Sequence, residues 1–302
     1  MHRAKPPWLK VRAPGGERYT WIKAQARAQG LHTVCEEARC PNIGECWAGG
    51  TATFMVMGDS CTRGCRFCAV NTLRMPKPLD AGEPEKLGQT IAAMGLDYVV
   101  ITSVNRDDLE DQGAGHFADC IRAVREAAPG TMVEVLVPDF QGRRDLLSVV
   151  SAARPEVIAH NIETVERMTP TVRDPRAGYL QSLRVLQMLK DLHPGRYTKS
   201  SIMVGVGETE SEVRTAMGDL RAVGCDFLTL GQYLQPSAKH LEVQAFVPPE
   251  TFERYREMGC ALGFAYVASG PLVRSSYKAG EFFIRQHLQR AAVEATAQEI
   301  QA

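Results

Sequence analysis

From about Thr51 onward, apolar positions alternate between two rhythms. Short runs dense in β-branched and apolar residues predict six strands: Ala52–Met57, Tyr98–Val104, Met132–Val137, Val157–Asn161, Ser200–Gly205 and Phe227–Leu230. Between them the apolar spacing lengthens to that of a helix. Residues 179–192 place Leu180, Leu183, Leu186 and Leu189 on one face, and Pro194-Gly195 stops the pattern. Thr209 and Glu212 have capping-box spacing ahead of Val213, Ala216, Met217 and Leu220, and Gly224 ends that segment. A further helix opens at Pro248-Pro249, carries Phe252 and Tyr255, and closes at Gly263. The first fifty residues, rich in Pro, Gly, Arg and Cys, hold one candidate helix near Tyr19–Ala28.

Strand–helix alternation of this kind implies parallel strands joined by crossover helices. Either a doubly wound open sheet or a complete or partial barrel satisfies it, and six units are too few for a full eight-stranded barrel. Polar residues arbitrate between them. Ser103 and Asn105, Asp139, the run His160, Asn161 and Glu163, Glu208, and Gln232 each follow the C-terminal end of a different predicted strand. Contributions from every strand suit a barrel mouth better than a single crevice. The expectation is an α/β fold, a partial (β/α)6 TIM-like barrel over 51–268, flanked by extensions at 1–50 and 269–302.

Composition narrows the class. A hydrophobic share of 44% and a charged share of 23% belong to an ordinary globular chain. The 35 basic residues balance the 35 acidic ones, which argues against a general nucleic-acid binder. No apolar run is long enough to span a membrane, and MHRAKPPWLK does not read as a secretory signal, so a cytoplasmic location is expected.

Cysteine usage changes the picture most. Of nine cysteines, six lie between Cys35 and Cys68, while Cys120, Cys225 and Cys260 are scattered and read as small buried hydrophobes. In a reducing compartment such clustering points to metal rather than to disulfides. Cys61, Cys65 and Cys68 form C-x3-C-x2-C directly after the first predicted strand. Closed zinc sites want a fourth ligand, and no Cys or His lies near in sequence to supply one. A [4Fe–4S] cube on three cysteines keeps one iron open. Cys35, Cys40 and Cys46 form a second group, C-x4-C-x5-C, for which a zinc knuckle is the plainer alternative.

With Phe67 before its last cysteine, the first triplet resembles the signature of the radical S-adenosylmethionine superfamily. The second, in LHTVCEEARCPNIGECW, resembles the auxiliary-cluster motif of the lipoyl synthase family. So do KPPWLK (5–10), GTATFMVMGD (50–59), ITSVNRDDLEDQGAGHFA (101–118), PDFQG (138–142), HNIETV (160–165), QYLQPS (232–237) and VASGPLVRSSYKAGEF (267–282). The likeness therefore covers nearly all of 5–282.

That resemblance implies two [4Fe–4S] clusters and S-adenosyl-L-methionine as cofactors. Cys61, Cys65 and Cys68 would hold the radical-generating cluster; Cys35, Cys40, Cys46 and Ser276 of the Arg274–Tyr277 motif would hold the sulfur-donating one. An alkoxide Ser276 would be its most readily released ligand. Sulfur would enter at C6 and C8 of an octanoyl chain on a carrier lysine, with two cofactor molecules cleaved to methionine and 5′-deoxyadenosine. Implied partners are octanoylated lipoyl carrier proteins (E2 lipoyl domains of 2-oxoacid dehydrogenases and the glycine cleavage H protein), a flavodoxin or ferredoxin reductant, and an iron–sulfur carrier for cluster repair. Neither nucleic acid nor membrane is among them. Asn105, Asn161, Glu163, Arg173, Lys199, Gly205 and Glu208 are the expected S-adenosylmethionine contacts; for each, a turn or surface role is the competing reading.

Overall fold

The computed structural model describes residues 5–11, 14–37, 40–48, 51–277 and 286. Most of the expected C-terminal extension, beyond Tyr277, lies outside the described residues.

All six predicted strands form: β1 (Thr51–Val56), β2 (Tyr98–Ser103), β3 (Met132–Leu136), β4 (Val157–Ala159), β5 (Tyr197–Val204) and β6 (Phe227–Gln232). A seventh, β7 (Tyr266–Gly270), pairs parallel to β6. Each strand hydrogen-bonds the next in chain order and every neighbouring pair is parallel. A doubly wound sheet would reverse its order part-way; this one does not, so the barrel expectation holds, with one strand more than predicted. A short antiparallel strand, His32–Thr33, lines the free edge of β1. The last strand also runs across the expected 268/269 boundary, making the barrel continuous with the segment that follows.

Six crossover helices join the strands: α1 (Glu83–Met94), α2 (Ala114–Ala127), α3 (Arg144–Ala152), α4 (Tyr179–Leu192), α5 (Glu210–Ala222) and α6 (Pro249–Ala261). Residues 17–28 form the predicted N-terminal helix. Thr209 and Glu212 close the predicted capping box on α5, satisfying two N–H groups that a helix start otherwise leaves unpaired. Both faces of β1 and of β6 are buried, as expected for strands covered by helices outside and by packed side chains within. Leu183, Leu186 and Leu189 pack inward from α4 as predicted, whereas Leu180, in its first turn, is exposed.

The barrel floor is polar. Lys199 Nζ lies 2.8 Å and 3.0 Å from the two carboxylate oxygens of Glu134, and the Tyr98 hydroxyl donates to the same group at 2.6 Å. Tyr98 opens β2 and Lys199 is the third of the eight residues of β5, while Glu134 is the middle residue of β3.

Candidate metal centres at the barrel mouth

At the end of β1 the chain turns sharply: Met57 has φ 70° and Gly58 has φ 89°. The cysteine loop begins there. Backbone N–H groups aim at its sulfurs: Asn105 at 3.3 Å and Arg63 at 3.4 Å from Cys61 Sγ, and Asp174 at 3.3 Å from Cys65 Sγ. Such donors favour a thiolate. Burial works the other way, raising the Cys65 thiol and pushing Cys68 up to about 12, to which the neighbouring thiols Cys65 and Cys61 add. A bound metal removes that conflict by taking the place of the proton.

Charged residues stake the loop down. Arg63, itself buried, donates to Asp107 at 2.9 Å and 2.7 Å and to Asp139 at 2.6 Å. Burial opposes its charge, but the two carboxylates more than offset this and raise its pKa. Asp174 accepts the Gly64 N–H at 2.9 Å, Arg176 donates to the Thr62 carbonyl at 2.7 Å, and a ring nitrogen of His240 lies 2.9 Å from the Cys68 carbonyl.

Beside this loop stands a pair of polar side chains with spare bonding capacity. Asn161 donates to Glu163 at 3.1 Å, yet its own carbonyl oxygen is buried without a partner. Arg173 donates to Ser182 at 2.8 Å and to the Ile162 carbonyl at 3.3 Å, and its Nε is likewise unpartnered. Glu163 holds a left-handed backbone, φ 66°, which costs a non-glycine residue energy and is sustained only by its surroundings. Burial raises its pKa, while the Arg173 cation and the Asn161 amide pull it down. Both Arg173 and Glu163 act electrostatically on Cys65. Buried polar atoms are normally paired, so this corner fits a zwitterionic ligand such as an amino acid moiety.

The second triplet is assembled from distant parts. Cys35 lies in the Val34–Glu37 turn of helix and Cys46 in Ile43–Ala48; both are buried, and the Cys40 N–H donates to the Cys35 carbonyl at 3.0 Å. Burial pushes the Cys35 thiol up to about 12, with Cys40 adding to the rise, and it raises Cys40 as well. The buried Trp47 Nε1–H lies beside Cys35 and acts on its sulfur as a hydrogen-bond donor, partly opposing the rise that burial causes. Onto this group folds the segment after β7. Asn42 donates to the Leu272 carbonyl at 2.6 Å, Tyr277 donates to Glu45 at 3.2 Å, and the Arg274 guanidinium acts on Cys40. The Tyr277 N–H bonds the Arg274 carbonyl at 3.0 Å, so Ser275 and Ser276 form the tip of a turn whose flanking residues, Arg274 and Tyr277, interact electrostatically with Cys40 and Cys46. Gly231 of β6 permits the approach: a Cβ there would stand 2.0 Å from the Val273 carbonyl oxygen.

Among the described residues, only Glu83, His116 and Cys120 bring three metal-capable atoms within 4.8 Å of one another. Tetrahedral zinc needs thiolates about 4 Å apart.

Comparison with known proteins gives the family. Residues 55–220 match the model of the radical SAM superfamily, and residues 1–40 match the N-terminal domain of lipoyl synthase of that family. A lipoyl synthase of Anaeromyxobacter sp. (strain Fw109-5) is 59% identical over 95% of this chain and 98% of its own. This chain belongs to the lipoyl synthase family. A Myxococcus xanthus lipoyl synthase is 58% identical over 96% of this chain and 97% of its own, and the mitochondrial lipoyl synthase of Branchiostoma floridae is 55% identical over 96% and 79%. In fold, the chain resembles Streptococcus suis SuiB bound to precursor peptide SuiA (TM-score 0.56, 8% identity, 83% of this chain and 52% of that one). It also resembles the FeFe-hydrogenase maturase HydG of Carboxydothermus hydrogenoformans (TM-score 0.52, 11% identity, 78% and 66%). Membership of the radical SAM superfamily implies S-adenosylmethionine and one [4Fe–4S] cluster. Among the described residues, no helix is long and apolar enough to cross a membrane.

For this family member, the expected contact residues divide in two. Asn105, Asn161, Glu163 and Arg173 gather around the Cys61–Cys68 loop. Lys199 does not: β5 begins at Tyr197, so Lys199 lies near the strand's head, on the floor, neutralised by Glu134. Gly205 and Glu208 have internal duties. The Glu208 carboxylate accepts the Gly205 and Val206 N–H groups at 2.6 Å and 2.9 Å, and a Cβ on Gly205 would meet Gln232 Nε2 at 2.2 Å. His160 is bonded through both ring nitrogens, to Val137 and Ser182; burial pushes its pKa down to about 4 and keeps it neutral. Cys120 and Cys225 are buried as expected, but Cys260 is exposed. Arg63, Arg176 and Asp174 were missed, although a charge inside a buried cysteine motif is itself a signal that carboxylates lie close.

Proposed function

We propose that this chain is a lipoyl synthase that inserts two sulfur atoms, at C6 and C8, into an octanoyl group carried on a lysine of a lipoyl carrier protein. When bound, one [4Fe–4S] cluster with S-adenosylmethionine supplies a one-electron cleavage and hydrogen abstraction, and a second supplies sulfide. Cys61, Cys65 and Cys68 contribute three thiolates and leave one iron free for the cofactor. Asn161 and Arg173 present unsatisfied polar atoms to its amino acid moiety, with Glu163 and Asn105 beside them. Cys35, Cys40 and Cys46 hold the second cluster, and Ser276, presented on its turn, is the fourth and most labile ligand. In this reading the expected extensions, 1–50 and 269–302, carry the residues of the second site, and the 51–268 barrel carries those of the first.

The observation that carries the reading is the meeting of the Arg274–Tyr277 turn with Cys40 and Cys46. Carrier substrates are the E2 lipoyl domains and the glycine cleavage H protein, the electron donor is a flavodoxin or ferredoxin, and an iron–sulfur carrier restores the consumed cluster. A reducing, cytoplasmic setting suits a chain with nine cysteines. The test is anaerobic reconstitution with iron and sulfide, followed by mass spectrometry of an octanoyl-lysyl peptide. About eight irons per chain and a peptide gaining two sulfur atoms are expected. Four irons, with sulfur insertion unchanged after Cys35, Cys40 and Cys46 are all replaced by alanine, would overturn it.

A further inference from the structure

The exit of β1 is gripped from two sides. Met57, four residues before Cys61, sits in the left-handed region at φ 70°, a conformation that needs external support. Its backbone N–H donates to Glu83 Oε2 at 2.9 Å, and that same oxygen lies 2.6 Å from His116 Nε2. Its side chain crosses the backbone of Gly113, where a Cβ would stand 2.1 Å from Met57 Sδ. Glu83 is the first residue of α1, where the helix dipole favours a carboxylate. His116 lies in the first turn of α2. One carboxylate therefore ties the start of two helices to the residue from which the cysteine loop springs.

We propose that Glu83, oriented by His116, is a positioning residue for the Cys61–Cys68 cluster: it fixes the strained Met57 exit and so sets where Cys61 enters the mouth. This rests on the cluster assignment proposed above. Metal binding by Glu83, His116 and Cys120 is the competing use of the same atoms. Against it, the carboxylate oxygen is already shared between an N–H donor and the imidazole, and Cys120 is fully buried among apolar residues. Burial first, and then Glu83, raises the Cys120 pKa, so the group stays a thiol.

The experiment uses the reconstituted protein with both clusters loaded, verified by iron content, and compares Glu83→Ala with Glu83→Gln. Gln keeps an acceptor for the Met57 N–H; Ala removes it. For Glu83→Ala we expect an altered electron paramagnetic resonance signal of the reduced Cys61–Cys68 cluster on adding S-adenosylmethionine. Formation of 5′-deoxyadenosine should fall about tenfold, the range seen when the groups that orient metal ligands are lost, while the second cluster's spectrum is unchanged. Glu83→Gln should restore the signal to within about twofold of wild type. Should Glu83→Ala fail to fold, His116→Gln carries the test, because it leaves the Met57 bond in place and loosens only the carboxylate; a smaller change of the same signal is expected. Unchanged spectra in Glu83→Ala, equal disturbance of both clusters, or no rescue by Gln would each overturn the inference. So would one zinc per chain in the loaded wild-type protein that disappears in Cys120→Ala. If wild type itself takes up no iron at Cys61, Cys65 and Cys68, it is the cluster assignment that fails, and the two results cannot be confused.

Discussion

Cys61, Cys65 and Cys68 lie within eight consecutive residues and are held by donors from the loops that follow β2 and β4. Cys35, Cys40 and Cys46 are spread over twelve residues of short helices outside the barrel, and their site is finished only when Asn42 and Glu45 meet Leu272 and Tyr277. The first site inherits its rigidity from the barrel rim. The second is an agreement between the two ends of the described chain. In the reading proposed above, a radical source would need to be fixed relative to its target and a sulfide donor would need to give something up, and the two constructions suit those demands.

The sharpest way to break the comparison is to remove one thiol from each site. Cys65→Ala should abolish 5′-deoxyadenosine formation and about four of the eight irons, leaving the second cluster's spectrum in place. Ser276→Ala should separate the functions: S-adenosylmethionine cleavage persists, measured as 5′-deoxyadenosine, while sulfur transfer to the octanoyl peptide falls to background. If Ser275→Ala rather than Ser276→Ala has that effect, the ligand assignment within the turn moves by one residue.

Smaller effects test the mouth against the floor. Lys199→Met strands the buried Glu134 charge and should cost about 3–5 kcal/mol in denaturant unfolding, yet leave the Kd for S-adenosylmethionine unchanged in the folded fraction. The double change with Glu134→Leu should recover most of that stability, since an apolar pair removes the unmatched charge. Lost cofactor affinity would return Lys199 to the mouth. Glu163 gives the finest probe. Its folded pKa is raised, so the folded state holds its proton more tightly than the unfolded state does, and stability falls as pH rises from the unfolded value through the folded one. Glu163→Gln should therefore raise the Tm of the metal-free protein at pH 8 and change it little near pH 4. A Tm difference independent of pH would show that the carboxyl's ionisation is not what burial penalises there.

Local pattern accounts for most of the fold. Six strands were legible because β-branched runs bounded by turns leave few alternatives, and the capping box at Thr209 fixed a helix start to the residue. The seventh strand was not: Tyr266–Gly270 has few bulky apolar residues and ends in Ser-Gly, and its strand character comes from lying against β6. The pairing of Lys199 with Glu134 was not legible, because β5 begins three residues before the predicted strand, which made a strand residue look like a loop residue. Both cysteine triplets were plain in spacing. The closeness of Arg63 to Asp107 and Asp139 was not, since three separate loops must converge before that cation has a partner.

The bonds from Asn42 to Leu272 and from Tyr277 to Glu45 bridge some 230 residues. Closing so long a span carries a larger entropic cost than pairing adjacent strands, and the expected outcome is that amide exchange at this seam is faster than in the barrel strands. On the proposed reading, emptying and refilling the outer site would disturb that long-range joint rather than the barrel beneath it.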